Sequence, residues 1–442
     1  MSVSPRASTP HASQRLVVRG QLRVPGDKSI SHRALMLAAI ASGPSRVRGL
    51  LQSADVHATA RVLRALGANV PELSGHLLPE LAIGGVGLRG LRTPLTPLDC
   101  ANSGTTARLM AGVIAGAGVT ARVTGDASLS RRPMRRVAEP LAAMGARVEL
   151  GPDDGLPMTV AGPVTHGVHW RSAQASAQVK SLVLLAGLVG GVAVSVEEPE
   201  VSRDHTERML AARGVPLRRD GARVALEPVQ ELAAMDVDVP GDPSSAAFFA
   251  ALAALAHDGE LLLQGVGVNP TRTGFFDVLR RFGARVDLAG AVDGAEWTAG
   301  EPVSDVLVAP GGLRATDVAA HEVPALIDEL PLVACLATRA EGVTTVRGAG
   351  ELRAKESDRI TAVVDNLRAI GADAEELPDG FVVRGSDRPL RGTVRTHGDH
   401  RLAMAFGVLS VVPGHEIRLD DAACVAVSYP DFWDHLWQAT QR

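Results

Sequence analysis

Lysine is nearly missing from this sequence: of 45 Lys and Arg residues only Lys28, Lys180 and Lys355 are Lys. Where either cation serves the chain carries Arg, so a retained Lys marks a place that needs a compact ammonium on a flexible stem. Cysteine is as scarce. Cys100, Cys335 and Cys424 are odd in number, far apart and without a Cys-x-x-Cys, which excludes a disulfide framework and a zinc knuckle and leads us to expect a cytoplasmic protein. There is no run of about 18 apolar residues and no apolar stretch in the first fifteen, so neither a membrane span nor a signal peptide is expected. The start reads as a frayed tail. A formal net charge of −4 excludes a dedicated nucleic-acid or anionic-membrane surface and leaves anion recognition to local clusters. No Walker A motif occurs, His321-Glu322 lacks the second His of a zinc protease, and the 13 His show no ligand spacing, so no metal is expected. Gly85-Val86-Gly87-Leu88-Arg89-Gly90 matches a dinucleotide-binding pattern, but Thr93-Pro94 follows where a helix should begin, and it reads as a turn.

What is present is apolar and repetitive. With 442 residues, 46% hydrophobic and 21% charged, the chain suits two globular domains. An Ala/Leu-rich segment closing on Gly recurs at 34–43, 107–118, 180–190, 246–259, 331–342 and 402–414, its glycines 75, 72, 69, 83 and 72 residues apart. Near-uniform apolarity over three turns predicts six helices buried on most sides. Between them run amphipathic segments ending at Gly67, Gly145, Gly214, Gly283 and Gly371, with a sixth candidate at 431–441. The unit is strand, buried helix, strand, amphipathic helix and closing strands. This predicts an α/β fold of two domains, each of three βαβαββ units. Pro25-Gly26-Asp27 and Pro240-Gly241-Asp242-Pro243 read as two crossings between domains. They divide the chain into a discontinuous domain, 1–25 with 243–442, and an inserted one, 26–242, with a site in the cleft between them.

The polar starts of the buried helices are the candidate site. They read Gly26-Asp27-Lys28-Ser29-Ile30-Ser31-His32-Arg33, Asn102-Ser103-Gly104-Thr105-Thr106, Ser176-Ala177-Gln178-Val179-Lys180-Ser181, Gly241-Asp242-Pro243-Ser244-Ser245, Ile327-Asp328-Glu329 and Gly398-Asp399-His400-Arg401. Capping explains Ser, Asp and Asn there; it does not explain Lys28, Arg33, Gln178 or Arg401. Unpaired N–H groups at a helix start favour phosphate and carboxylate, and added cations deepen that preference. Arg131-Arg132-Pro133, with Pro133 expected to open a helix, and the charged run Glu351 to Arg359 add further candidates.

Gly26-Asp27-Lys28-Ser29, Asn102-Ser103-Gly104-Thr105, Arg132-Pro133, Lys355-Glu356-Ser357-Asp358-Arg359 and Asp399-His400-Arg401 resemble, in order and separation, the 5-enolpyruvylshikimate-3-phosphate synthase family (3-phosphoshikimate 1-carboxyvinyltransferases). The similarity runs from about Val17 to Trp433. Ala175-Ser176-Ala177-Gln178 and Arg203-Asp204-His205-Thr206-Glu207-Arg208-Met209 resemble the family's second class, which includes glyphosate-tolerant members. The resemblance implies an inverse α/β barrel fold and enolpyruvyl transfer from phosphoenolpyruvate to the 5-hydroxyl of shikimate 3-phosphate, with release of phosphate. It implies no cofactor, inhibition by glyphosate, a monomer, and a place on the path to chorismate and the aromatic amino acids.

Carried over by motif, shikimate 3-phosphate falls to Lys28, Ser29, Arg33, Ser176, Ala177, Gln178, Arg203, Asp328 and Lys355. Phosphoenolpyruvate falls to Lys28, Asn102, Gly104, Arg132, Gln178, Arg359, His400 and Arg401. The catalytic set is Asp328 as base at the 5-hydroxyl, Glu356 as acid for the methylene, and Lys28 and Lys355. A raised pKa is expected for Glu356, from partial desolvation or neighbouring like charge. Two departures stand out. Ala426-Val427-Ser428-Tyr429-Pro430 replaces a segment that carries a phosphoenolpyruvate-binding lysine in many members, and Glu351 stands where the first class has Asn. Two other readings compete with this one. A sister family performs the same transfer on a UDP-amino-sugar but needs a Cys where this chain has Ala127. A non-catalytic anion-binding repeat protein would have no use for Asp328 and Glu356 among its cations.

Overall fold

The structure is a computed structural model and describes residues 15–73, 80–292 and 298–440. The six buried helices are α1 (Lys28–Ala39), α2 (Gly104–Gly116), α3 (Ala177–Gly190), α4 (Pro243–Leu255), α5 (Leu330–Ala337) and α6 (His400–Ser410). Each begins ahead of or at the edge of its apolar run, and in all but α5 a polar residue before the run supplies the cap. Gly190 lies within α3 and the left-handed Gly191, not Gly190, closes it. Gly43, Gly259, Gly342 and Gly414 stand four or five residues beyond their helices, since apolar residues in the turn to the next strand continue the run without continuing the helix. Burial is complete in α4, where no residue is exposed. Its Phe248 and Phe249 meet Phe432 of the C-terminal helix (Phe432–Thr440) at ring-centroid distances of 5.9 and 5.7 Å. Each such ring contributes on the order of 1.5–3 kcal/mol by leaving water. Helices α2 and α3 approach closely at Gly112, where a Cβ would stand 2.3 Å from the Leu182 carbonyl oxygen.

The amphipathic segments form the helices Ala54–Ala65, Arg135–Ala142, His205–Ala211, Gly274–Arg281 and Arg359–Ala369. Pro133 does not open the second of these. It precedes the N-cap Met134 by one residue and follows the short helix Ala127–Ser130.

The sheets show how the units join. In the second unit, Leu98–Asp99 runs parallel to Thr120–Thr124, which pairs antiparallel with Met158–Ala161, which pairs antiparallel with Arg147–Glu149. The third unit repeats this with His169–Arg171, Val194–Glu197, Arg223–Leu226 and Leu217–Asp220. For the first unit the parallel strand comes from the far end of the half-chain: Val237–Asp238 pairs with Pro44–Arg48. For the fourth it comes from the start: Gly20–Leu22 pairs with Leu261–Gly267. The two parallel partners are therefore exchanged along the sequence, and this exchange requires the chain to cross twice.

At the crossings the two segments hold each other. Asp27 N–H donates to the Pro240 carbonyl at 2.8 Å and Asp242 N–H to the Pro25 carbonyl at 2.9 Å. Gly26 is needed here, since a Cβ would stand 2.0 Å from the Gly49 carbonyl oxygen. Arg272, buried, binds both segments by donating to Asp27 Oδ2 at 2.9 Å and Asp242 Oδ1 at 3.0 Å. The apolar core forms two clusters. One joins 16–24 to 246–439 and the other spans 30–239 with Ala299. This is the two-domain α/β architecture the repeats call for.

Candidate active site

Five of the six buried helices are capped by the residue before them. Asp27, Ser103, Ser176, Asp242 and Asp399 accept from the backbone N–H of Ile30, Thr106, Val179, Ser244 and Arg401. Helix α5 differs. It is preceded by the 3₁₀ turn Ile327–Glu329, with no side-chain cap, so Asp328 spends none of its carboxylate on the helix and presents it elsewhere.

All six starts contribute to one cleft of about 840 Å³ between the two cores. The cleft is lined by every residue that the resemblance assigns to a substrate or to catalysis: Lys28, Ser29, Arg33, Asn102, Gly104, Arg132, Ser176, Ala177, Gln178, Arg203, Asp328, Lys355, Glu356, Arg359, His400 and Arg401; other residues of the helix starts, such as Lys180, Glu329 and Asp399, and Arg131 are not among its walls. Residues 426–430 are not among its walls; Tyr429 is instead buried against Phe249, Phe432 and His435.

Two carboxylates stand inside this cationic wall. Asp328 Oδ2 takes Arg203 Nη2 at 2.7 Å, and its Oδ1 lies 3.4 Å from Arg359 Nη1 and 3.7 Å from Lys355 Nζ. Glu356 Oε2 takes Arg359 Nη2 at 2.6 Å, and Oε1 lies 3.6 Å from Arg132 Nη1. Arg359 is itself fixed by Asp399, Nε to Oδ2 at 2.8 Å. Arg132 donates to Asn102 Oδ1 at 2.7 Å, which aims the guanidinium across the start of α2. Arg33 is held by three oxygens: Thr206 Oγ1 at 2.6 Å, Ser181 Oγ at 2.7 Å and the Ser29 carbonyl at 3.0 Å.

Several residues of the site were not singled out in the sequence. Asp55 pairs with Lys28 at 3.2 Å, Arg108 donates to Gln178 Oε1 at 2.6 Å, and Arg136 meets Glu351 at 3.2 Å across the cleft. Arg108 carried a signal, a lone charge in an apolar helical run. Asp55 carried none, since a carboxylate in the first turn of an amphipathic helix is ordinary. Glu351, noted only as a departure, forms with Arg136 an ion pair joining the halves, as Arg132–Glu356 and Arg203–Asp328 also do.

The electrostatics correct one expectation. Burial works to raise the Glu356 pKa, as expected, but the charges of Arg359, Arg132 and Lys28 outweigh it and hold the carboxyl well below its usual range. The like charges near it are too few and its cations too close. Asp328 behaves alike: burial opposes ionisation, and Arg401, Arg203, Lys355 and Arg359 hold it well below the usual value. Burial lowers the Lys355 pKa, partly offset by Asp328. Burial and the Lys28 charge push His400 down to about 4, so the imidazole is neutral. Burial brings Arg33 and Arg108 to about 10, and both stay charged at neutral pH.

A wall of guanidinium, ammonium and helix N-termini enclosing two ionised carboxylates defines a transfer enzyme for small polyanions, with groups placed to move protons. Comparison with known proteins gives the same class. The family model described as EPSP synthase (3-phosphoshikimate 1-carboxyvinyltransferase) matches residues 13–436. Relatives named 3-phosphoshikimate 1-carboxyvinyltransferase include those of Sulfurihydrogenibium sp. (strain YO3AOP1), 45% identical over 95% of this chain and 96% of the relative, and of Alkalilimnicola ehrlichii, 47% identical over 94% and 92%. Among solved structures, an EPSP synthase from Acinetobacter baumannii superposes with a TM-score of 0.85 at 37% identity, covering 97% of each chain. The enolpyruvyl transferase NikO from Streptomyces tendae shares the fold alone, with a TM-score of 0.76 at 19% identity over 97% of this chain and 96% of that one. The chain belongs to the EPSP synthase family.

Proposed function

We propose that this enzyme transfers the enolpyruvyl group of phosphoenolpyruvate to the 5-hydroxyl of shikimate 3-phosphate and releases phosphate. The observation that carries the reading is the placement of Asp328 and Glu356 among Arg132, Arg203, Arg359, Arg401 and Lys355 where the six helix starts meet. Two phosphates and two carboxylates must be held together for this reaction, and fixed cations and helix ends do so without reorganising as charge shifts.

In this reading Lys28, Ser29, Arg33, Ser176, Ala177, Gln178, Arg203, Asp328 and Lys355 hold the acceptor. Lys28, Asn102, Gly104, Arg132, Gln178, Arg359, His400 and Arg401 hold phosphoenolpyruvate. Asp328 takes the 5-hydroxyl proton as the oxygen bonds to the substituted alkene carbon, while Glu356 gives a proton to the methylene. Elimination then expels phosphate and removes a methyl proton, restoring the alkene. Because Glu356 is ionised beside Arg359 and Arg132, it becomes a donor only when the charge of bound substrate offsets those cations. Lys355, adjacent to both carboxylates, stabilises the intermediate.

The core clusters support domains of 1–25 with 243–442 and of 26–242, and the ion pairs Arg132–Glu356, Arg136–Glu351 and Arg203–Asp328 support closure about the segments at 25–27 and 240–243. A monomeric enzyme inhibited by glyphosate and working in the cytoplasm fits this reading, and no helix among the described residues is long and apolar enough to cross a membrane. The amino-sugar alternative is disfavoured by Ala127, whose side chain has no nucleophile to offer. The test is direct: phosphate release is assayed with both substrates together and with each alone. Release only with both supports the reading, and release with a UDP-amino-sugar as acceptor replaces it.

A further inference from the structure

Lys180 lies outside the substrate contacts named above, yet it is one of only three lysines and it is 4% exposed. Its ammonium stands 2.9 Å from Glu198 Oε2 and 3.0 Å from Glu207 Oε1, and donates to the Ser202 carbonyl at 3.2 Å. A single nitrogen reaches all three acceptors, which match in number the three N–H bonds of an ammonium. The planar fork of Arg, whose donors lie in one plane, does not satisfy them together. That geometry explains why Lys survives here in a chain that otherwise prefers Arg.

The two carboxylates lead directly to the cleft. Glu198 Oε1 accepts the backbone N–H of Ser176 at 2.7 Å, and both its oxygens take the Ser202 hydroxyl, at 2.8 and 2.7 Å. Ser176 caps α3 and lines the cleft; Ser202 immediately precedes Arg203, which also lines it. Glu207 sits one residue after Thr206, the partner of Arg33 Nε at 2.6 Å. Lys180 thus ties together the supports of Ser176, Arg203 and Arg33. Among the described residues Arg132, Arg359 and Arg401 make no direct bond to Lys180, Glu198 or Glu207; Arg359 and Arg401 reach Arg203 only through Asp328.

We propose that Lys180 is a positioning residue for the acceptor half of the site: through Glu198 and Glu207 it sets the spacing of Ser176, Arg203 and Arg33, and hence recognition of the phosphorylated acceptor. The proposal rests on the assignment of those three residues to shikimate 3-phosphate. A buried charge that only stabilised the fold would lower the melting temperature and leave the folded enzyme's substrate preferences alone. A positioning residue moves one KM and not the other.

The test compares the native enzyme with Lys180→Arg, which keeps the charge and loses the three-way fit, after circular dichroism has established that the variant is folded. The expected result is a KM for shikimate 3-phosphate raised roughly 10- to 100-fold, the scale of a misplaced binding group, with the KM for phosphoenolpyruvate within about threefold of native. If Lys180→Arg does not fold, Glu198→Gln reads the same split, since it keeps an acceptor for the Ser176 N–H while removing the ion pair. A folded variant whose two KM values are unchanged, or rise together, overturns the proposal. A native enzyme that releases no phosphate from the two substrates overturns the proposed function itself, and this proposal with it.

Discussion

Arg203 and Asp328 meet across the cleft, guanidinium Nη2 to carboxylate Oδ2 at 2.7 Å, although 125 residues separate them and they belong to opposite halves of the molecule. The pair joins a side chain from the turn before the helix His205–Ala211 to the one buried-helix start that does not cap its helix. It bridges the cleft and helps to hold the Asp328 carboxylate ionised. Arg203 thereby orients that carboxylate, with Lys355 and Arg359 beyond it.

Asp328→Asn should preserve the shape of this junction and remove the proton acceptor. Turnover is expected to fall by about 10²- to 10⁴-fold, the range of general base catalysis. Binding of shikimate 3-phosphate, measured by calorimetry, should change far less than turnover. Equal losses in the two would make Asp328 a binding residue only.

Glu356 provides a second test, because its ionised state without substrate and its proposed work as an acid require its pKa to rise on binding. Joint binding of shikimate 3-phosphate and a non-reacting phosphoenolpyruvate analogue should draw a proton from solution. Calorimetry at neutral pH in two buffers of different ionisation enthalpy measures that uptake. Glu356→Gln should abolish it and lower turnover by about 10²-fold or more. Uptake that persists in Glu356→Gln assigns the proton to another group.

At Gly104 a methyl group would stand 3.3 Å from Arg132 Nη1 and 3.6 Å from Arg108 Nη1, a position a small side chain can occupy while narrowing the space before both guanidinium groups. Glyphosate, longer than phosphoenolpyruvate, should lose more from Gly104→Ala than the substrate does. A misfit methyl costs on the order of 1–3 kcal/mol, or roughly 10- to 200-fold. Inhibition constants divided by KM in the two proteins decide the matter, and an unchanged ratio removes the steric argument.

Stability should fall as pH drops from neutrality, well before the carboxylates protonate. Burial lowers the pKa of His400 and His415 to about 4 and that of His32 well below its ordinary value of 6.5. The unfolded chain therefore takes up these protons first. The contribution of each histidine is complete above about pH 6.5 and is lost as pH falls below it, down to about 4 for His400 and His415. Each adds a slope of up to about 1.4 kcal/mol per pH unit. Urea midpoints across pH 4–8 should show this decline. His415→Gln should flatten it by one proton without altering KM, since His415 lies outside the cleft, accepting the Leu390 N–H at 3.2 Å. A midpoint independent of pH over that window would remove the assignment.

The amino-acid order alone determined the repeat, and with it most of the architecture. Buried helices need uniformly apolar runs and caps need Ser, Asp or Asn, so both signals are local, and the starts at Lys28, Gly104, Gln178, Asp328 and Arg401 could be read one by one. What they face could not. That Asp55 answers Lys28, Arg108 holds Gln178 and Arg136 meets Glu351 depends on contacts between distant segments, which leave no period in the sequence. The two crossings at 25–27 and 240–243 were legible, but the strands that Gly20–Leu22 and Val237–Asp238 pair with were not, because a strand's own residues do not name its partner. Tertiary structure alone decided the charge on Glu356: its cations are assembled from three separate segments, and whether burial or charge wins depends on distances of a few ångströms. It decided the place of Lys180 for the same reason, since only folding brings Glu198, Glu207 and the Ser202 carbonyl around one ammonium.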